Sequence, residues 1–295
     1  MNTQKEILET YDYQLTDEKM NFELDGAVSV GIKTNYNLET IELIHSLIDH
    51  TSLNGTDNEE SIKIFLDKLK NNQRKYNSNN IAAVCVFPKY IELCKNELKD
   101  YTINVACVAG GFPYVQSFQE VRELECKLAV EANCDEVDIV YPIGETVSED
   151  TSTVRNDLKR LREITKETTL KVILETGTLK SYERIFTSSI IAMEEGADFI
   201  KTSTGKSPIG ATPEAVYIMA TAVKKYYDKT GKKIGIKVAG GVSSTTKAIQ
   251  YLSIIKHLLG DEWLTPQLFR IGTSSLTEKI QKEYRTLKEK MTVEE

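Results

Sequence analysis

The feature that most constrains the fold is a regular alternation of short apolar segments with longer segments of helical periodicity. Eight times between residues 46 and 290, a run of apolar and β-branched residues precedes a stretch whose apolar residues recur every three or four positions. Such an alternation is typical of parallel sheets, because each strand must return to the same end of the sheet through a crossover. The predicted strands are 46–50, 81–87, 104–109, 136–141, 171–176, 197–202, 234–239 and 269–273. The predicted helices are 57–71, 89–99, 118–132, 148–167, 180–195, 213–228, 245–259 and 276–290.

Eight such units in one domain-sized stretch predict an α/β fold closed into a TIM (β/α)8 barrel, which we assign to residues 41–295. Residues 1–40 are polar and acidic with short helix-like stretches, and we expect them to form an N-terminal helical extension. The alternative architecture is an open, doubly wound sheet. Against it, no G-x-G-x-x-G follows the first strand, and no composition shift or flexible linker marks a second domain.

Composition and charge exclude several classes of protein. The 37 Lys and Arg residues are outnumbered by 44 Asp and Glu, and no segment concentrates basic residues, so nucleic acid is not an expected partner. The longest apolar runs fall far short of the ~20 residues that a membrane span requires. The first residues are polar and lack the apolar core of a secretory signal, so we expect a cytoplasmic protein without membrane contact.

Cysteine and histidine patterns give no support for a metal. The five cysteines are an odd number and none forms C-x-x-C, which favours reduced thiols packed in a core. The three histidines include no H-E-x-x-H pair. We therefore predict no metal site.

Charged residues inside the predicted strands carry the functional signal. In "EVDIVYP" the alternation of a strand puts Glu136 and Asp138 on one face, and in "IGIKVAGG" it puts Lys237 on the face of two small residues. In "GADFIKTSTGK" the buried-looking segment ends on Lys201. Since active sites of these barrels lie at the carboxyl ends of the strands, we expect the two lysines and Asp138 to enter one cavity.

Burial and a neighbouring like charge both lower the pKa of a lysine, and a neutral amine is a nucleophile that attacks carbonyl carbons. Lys201 is therefore a candidate Schiff-base nucleophile, and Asp138 could move protons to and from the reacting atoms. The competing interpretation is a structural ion network of Lys201, Lys237 and Asp138 that only fixes strand register.

Small-residue turns follow the last two predicted strands, "AGGVSST" and "IGTSSL". In this class of barrel the corresponding loops bind phosphate through backbone N–H groups and helix N-termini. Gly240, Gly241, Ser274 and Ser275 are thus candidate phosphate-binding positions, although either turn alone could be a simple helix cap. "TGKS" is not a P-loop, because the glycine five positions earlier is replaced by Ile200.

Three further residues have ambiguous signals. Lys206 can be a cation over the cavity mouth or a solvated surface lysine. Asp49, in "IDHTSL" at the end of the first strand, can bind a substrate hydroxyl or cap the next turn. Cys85, in "AVCVF", has no histidine near it in sequence, which favours a packed core thiol over a nucleophile.

The segments "IDHTSL", "AAVCVFPKY", "EVDIVYP", "KVILETGTL", "GADFIKTSTGK", "KVAGGV" and "RIGTSSL", in this order, resemble the deoxyribose-phosphate aldolase family over about residues 45–280. The resemblance implies a class I aldolase that cleaves 2-deoxy-D-ribose 5-phosphate without a metal or organic cofactor.

By this resemblance Lys201 is the Schiff-base lysine, Lys237 the lysine that tunes it, and Asp138 the proton relay. The remaining matches are to substrate-binding positions, namely Asp49, Cys85, Lys206, Gly240, Gly241, Ser274 and Ser275.

This chain departs from the family in the loops around the mouth. Ser243 stands where members commonly carry a basic residue, and "PIG" before Ala211 is also unusual. Two other functions stay open: a lysine-dependent barrel aldolase for another phosphosugar, and a barrel that binds phosphosugars without catalysis. Because barrels of this kind commonly associate, we expect a homodimer.

Overall fold

The computed structural model describes residues 3–76, 80–147 and 151–294, and its centre is a closed barrel of eight parallel strands in sequence order. Helices separate consecutive strands, so the predicted TIM barrel is confirmed. The strands are β1 (Ile48–Thr51), β2 (Ala83–Val86), β3 (Asn104–Ala109), β4 (Glu136–Val140), β5 (Thr169–Ile173), β6 (Phe199–Lys201), β7 (Gly235–Ala239) and β8 (Phe269–Thr273).

The helices of the described residues lie outside the strands or precede the barrel. They are α1 (Gln4–Thr10), α2 (Asp17–Asn35), α3 (Leu38–Ser46), α4 (Glu59–Tyr76), α5 (Ile91–Glu97), α6 (Gln119–Glu131), α7 (Ile143–Val147), α8 (Thr151–Ile164), α9 (Thr176–Leu179), α10 (Tyr182–Glu194), α11 (Pro213–Thr230), α12 (Thr245–Leu259) and α13 (Leu276–Glu294). None of these helices is long and apolar enough to cross a bilayer.

Several predicted strand ends differ from the observed ones by one to three residues, and two of the differences change the position of a charged residue. The first strand begins at Ile48 and runs to Thr51, so Asp49 lies inside it; the preceding residues end helix α3 instead. The fifth strand ends at Ile173, so Glu175 lies beyond it in the left-handed region, with φ of 53°. A left-handed residue cannot continue a strand, and here it starts the short helix α9.

The predicted N-terminal extension packs on the outside of the barrel. Helix α1 contacts α10, and α2 contacts α11 and α12. At the contact of α2 with α12, Gly31 lies so close to Ser253 that a Cβ atom would meet its hydroxyl oxygen at 2.2 Å. Helix α3 crosses residue 40, and the division of the chain at that residue stays a prediction.

Sequence patterns explain why the helices begin where they do at the carboxyl end of the barrel. Thr212 caps α11 by accepting a hydrogen bond from the backbone N–H of Ala215, and Pro213 occupies the first helical position. Ser244 caps α12 by accepting from the N–H of Lys247. Residues 240–244 alone connect β7 with α12, whereas the longer loop 202–212, which carries Lys206, connects β6 with α11.

We predict that Gly235→Ala destabilises the barrel, because an added Cβ would lie 2.3 Å from the ring of Phe199 inside it. The free energy of unfolding in urea should fall by about 1–3 kcal/mol. In the Gly235→Ala/Phe199→Leu protein the two losses should be less than additive. Gly55→Ala is the control, since no heavy atom lies within 4 Å of its added Cβ. A loss of stability in Gly55→Ala as large as that in Gly235→Ala would contradict the interpretation.

Candidate active site

Barrel closure brings the charged residues of the strands into one cluster. In the register of the parallel strands, Lys201 is paired with Lys237, Lys237 with Arg270, and Asp138 with Lys171. Closure between β1 and β8 adds Asp49 to the same layer, opposite Gly272. All of these side chains point inward and are almost fully buried.

Asp138 is the centre of this cluster and binds three lysines. Its Oδ2 atom lies 2.8 Å from Nζ of Lys201 and 2.8 Å from Nζ of Lys237. Its Oδ1 atom accepts a hydrogen bond of 2.6 Å from Lys171. Because burial would otherwise favour the neutral acid, these ammonium groups are what hold the pKa of Asp138 well below its usual range.

Two further carboxylates and one arginine complete the cluster at its lower side. Asp49 lies 2.6 Å from Lys237 and 2.6 Å from Arg270. Glu136 lies 2.6 Å from Lys171 and 2.8 Å from Arg270. Four cationic side chains therefore share three carboxylates, and full ionisation would leave one uncompensated positive charge in the barrel.

The environments of the three lysines shift their pKa values in different directions. Burial, with repulsion from Lys237, lowers the pKa of Lys201, whose one carboxylate partner is Asp138 among the described residues. Burial alone would also lower the pKa of Lys237, but Asp138 and Asp49 raise it well above its usual value. Lys171, close to three carboxylates, likewise has a raised pKa. A neutral Lys201 balances the charges of the cluster.

A cavity of about 320 Å3 opens above the cluster at the carboxyl ends of the strands. The two predicted lysines of the strands and all the predicted loop residues line it, together with Thr51, Leu53, Thr204 and Ser243. The predicted residues in its lining are Lys201, Lys237, Lys206, Gly240, Gly241, Ser274 and Ser275.

The other predicted site residues lie beneath this cavity rather than in its lining. Asp138 and Asp49 are fully buried and reach the cavity only through the lysines that they bind. Cys85 is fully buried against apolar residues, including Leu53, and burial raises the pKa of its thiol. A direct contact of Asp49 or Cys85 with a substrate stays a prediction.

The loop that carries Lys206 is held by the left-handed Glu175. The buried carboxylate of Glu175 accepts hydrogen bonds from the backbone N–H and the hydroxyl of Thr204. The Thr204 hydroxyl in turn accepts a 3.0 Å hydrogen bond from the N–H of Lys206. The ammonium of Lys206 donates to the carbonyl of Leu53 across the mouth. This chain of contacts fixes the backbone from which Lys206 projects.

The two glycine- and serine-containing loops form one wall of the cavity. Gly240 and Gly241 have φ of 92° and 83°, values that favour glycine. The hydroxyl of Thr273 donates to the carbonyl of Val242 at 2.9 Å and so joins the two loops. It also accepts from the N–H of Ser275 at 3.3 Å. The wall is built from backbone and small side chains, a composition suited to an anion.

Sequence reasoning missed three residues of the site. Lys171 and Arg270 carry the same signal that identifies Lys237, namely a charge inside a predicted apolar strand. Glu136 was placed on the correct face, but its partners could not be inferred. Their position below the reacting layer depends on the register between strands that are distant in sequence.

A buried lysine of lowered pKa, next to a carboxylate and open to a cavity at the barrel mouth, is typical of enzymes that bind carbonyl compounds covalently. The fold and the site therefore define a lysine-dependent barrel enzyme. Residues 43–254 match the sequence model described as DeoC/LacD family aldolase, and the chain belongs to that family. It is thus an aldolase, a lyase of class I.

Known relatives have similar lengths and the same fold. Human deoxyribose-phosphate aldolase is 37% identical over 249 residues, which cover 81% of this chain and 78% of that protein. The enzyme of the same name from Bos taurus is 38% identical over 247 residues, covering 80% and 78%. The tetrameric deoxyribose phosphate aldolase from Aeropyrum pernix superposes with a TM-score of 0.66 at 22% identity over 88% of this chain and 97% of its own, which shows a shared fold.

We predict that Lys171→Met raises the pKa of Lys201, because the variant removes the one excess cation and leaves Asp138 without its Oδ1 partner. Competitive acetylation at increasing pH, followed by peptide mass spectrometry, measures that pKa directly. The half-labelling pH of Lys201 should move upward by roughly one unit or more. Lys89→Met, a change outside the cluster, should leave it in place. A downward shift in Lys171→Met would contradict the charge-balance argument.

Proposed function

We propose that this chain cleaves 2-deoxy-D-ribose 5-phosphate reversibly to acetaldehyde and D-glyceraldehyde 3-phosphate through an imine on Lys201. The observation that carries the proposal is the placement of Lys201, whose lowered pKa and single carboxylate partner distinguish it from Lys237 and Lys171. The names of the human and bovine relatives support the substrate.

The neutral amine of Lys201 attacks the aldehyde carbon of the open-chain sugar, and loss of water gives the imine. Cleavage of the C2–C3 bond, with removal of the C3 hydroxyl proton, releases D-glyceraldehyde 3-phosphate and leaves an enamine. Protonation of the enamine carbon and hydrolysis of the imine release acetaldehyde and restore Lys201. The protonated imine is the electron sink that makes this bond cleavage feasible.

Asp138 and Lys237 act on these steps from the base of the cavity. Asp138 lies 2.8 Å from Nζ of Lys201 and can relay protons, directly or through a water molecule. Lys237 keeps its proton, since two carboxylates hold it, and its positive charge disfavours a second charge on Lys201. Asp49 supports this arrangement by binding Lys237 from below.

We assign the phosphate to the wall formed by Gly240, Gly241, Ser274 and Ser275, with Lys206 at the mouth. Although Ser243 brings no positive charge, two lysines bind carbonyls of the same loop. Lys247 donates to the carbonyl of Gly241 at 3.1 Å, and Lys279 donates to the carbonyl of Ser243 at 3.0 Å. Two lysines therefore lie beside this loop, although Ser243 stands where family members commonly carry a basic residue.

The other candidate functions make different predictions. An aldolase for another phosphosugar would use the same imine with a different preferred substrate, which a panel of phosphosugars distinguishes. A binding protein without catalysis would form no imine, and the lowered pKa of Lys201 in the buried cluster speaks against it. We further propose that the protein is cytoplasmic, in keeping with its five buried, unpaired cysteines, because thiols stay reduced in that compartment. We also propose that it is a homodimer.

Trapping with borohydride tests the imine. The protein is incubated with 2-deoxyribose 5-phosphate, reduced, digested and analysed by peptide mass spectrometry. We expect one reduced adduct, on Lys201, and none in Lys201→Ala, whose activity should fall on the order of 10⁴-fold or more. An adduct on Lys237 in the wild-type protein would reject the assignment, and measurable sugar binding without any adduct would reject the aldolase mechanism.

Lys206→Ala tests the phosphate assignment. Because a hydrogen bond to a charged group contributes about 1.5–3 kcal/mol, KM for 2-deoxyribose 5-phosphate should rise roughly 10- to 100-fold. The phosphate-free substrate 2-deoxyribose is the matched control, and its kcat/KM should stay unchanged. Equal losses for both substrates would show that Lys206 acts on the sugar or on the fold instead.

A further inference from the structure

The loop between β6 and α11, residues 202–212, packs directly against the turn that ends β7. We call the first segment the β6–α11 loop and the second, Ala239–Gly241, the β7 turn. A Cβ atom added to Gly210 would lie 2.5 Å from the carbonyl oxygen of Gly240 and 2.8 Å from its Cα atom. A Cβ atom added to Gly240 would in turn collide with the hydroxyl of Ser203. The two backbones therefore touch only because neither glycine has a side chain.

Hydrogen bonds from the β6–α11 loop hold two consecutive carbonyl groups of the β7 turn. The carbonyl of Ala239 accepts hydrogen bonds from the hydroxyl of Thr202 at 2.8 Å and from the hydroxyl of Ser203 at 2.5 Å. The carbonyl of Gly240 accepts a hydrogen bond of 3.0 Å from the backbone N–H of Ala211. Both carbonyls therefore point toward the β6–α11 loop.

The direction of these carbonyls fixes the direction of the N–H groups that follow them. The peptide bonds on both sides of Gly240 are trans. Because the C=O and N–H of a trans peptide point in opposite directions, the N–H groups of Gly240 and Gly241 both point away from the β6–α11 loop. Among the described residues, neither N–H has an acceptor. Neighbouring N–H groups that point to the same side form a concavity for an anion.

The cavity lies on the side toward which these N–H groups point. Gly240 and Gly241 belong to its described lining, whereas the residues that hold their carbonyls do not. Ser203 is fully buried behind the wall. The β6–α11 loop residues that contact the β7 turn therefore act on the cavity through the backbone of that turn and not by direct contact with a ligand.

We propose that Gly210 and Ser203 are positioning residues for the phosphate of the substrate, because they hold the β7 turn with the N–H groups of Gly240 and Gly241 aimed into the cavity. Gly210 allows the close approach of the two loops, and Ser203 holds the carbonyl of Ala239. The proposal rests on the phosphate site assigned under the proposed function. It adds the support that orients this site, from residues that touch neither the phosphate nor Lys201.

Isothermal titration calorimetry of the full chain with inorganic phosphate tests the support without requiring catalysis. We expect the wild-type protein to bind phosphate and Gly210→Ala to raise the dissociation constant about tenfold or more, because a displaced turn loses hydrogen bonds to a charged ligand. The φ of Gly210 lies outside the left-handed region, so alanine changes only the contact. Gly26→Ala is the matched control, since no heavy atom lies within 4 Å of its added Cβ, and its dissociation constant should equal that of the wild type.

Ser203→Ala tests the same support without adding an atom, so it keeps the test valid if Gly210→Ala does not fold. One neutral hydrogen bond is lost, and the dissociation constant for phosphate should rise about two- to tenfold. Ser189→Ala is its matched control. It removes another fully buried hydroxyl, which donates to the carbonyl of Ile185 at 2.7 Å within α10, and it should bind phosphate like the wild type.

Steady-state kinetics separates positioning from a general structural role. For 2-deoxyribose 5-phosphate, KM should rise in Gly210→Ala and Ser203→Ala while kcat stays within about twofold of the wild type, as expected when binding common to ground state and transition state is lost. For 2-deoxyribose, which has no phosphate, kcat/KM should be unchanged in both variants.

The two measurements distinguish failure of this proposal from failure of the proposed function. A wild-type protein that binds phosphate but cleaves neither sugar would reject the proposed function, and calorimetry would still support or overturn the positioning role. A wild-type protein that binds no phosphate, variants that bind it as tightly as the wild type, or equal losses for the two sugars would overturn the proposal.

Discussion

The buried cluster of ionised side chains inside the barrel is the interaction on which the site depends. Charges in a low-dielectric interior are costly unless they are paired, and here Asp49, Glu136 and Asp138 pair with four cationic side chains. The excess of one positive charge costs the least free energy if the lysine with the fewest carboxylate partners becomes neutral. The same constraint lowers the pKa of Lys201, so the ion network and the proposed nucleophile are compatible interpretations of the strand charges.

The lysines of the cluster are chemically identical, and their positions in the barrel give them different pKa values. Lys171 lies lowest and has three carboxylates within 3.8 Å, whereas Lys201 is the last residue of β6 and borders the cavity. Gly272 leaves the space that Lys237 needs, since a Cβ there would lie 3.2 Å from its Cε. The acidity of each amine thus follows from its burial and from the number of carboxylates beside it.

Helix α6 has apolar residues on its outer face as well as on the face that packs on the barrel. Cys126 and Ala129 are buried against the barrel, whereas Leu124 and Leu128 stay more than half exposed.

The sequence by itself determined the eightfold alternation, the inward faces of β4 and β7, and the small-residue loops, because these depend on local periodicity and turn chemistry. The bounds of β3, β8 and α12 were predicted without error. Only the tertiary structure decided that Lys171, Glu136 and Arg270 complete the charge cluster, that Asp49 and Cys85 lie below the cavity, and that Glu175 leaves its strand. Those facts depend on strand register and on the closure of β1 against β8, which join residues more than 200 positions apart and leave no periodic signal in the chain.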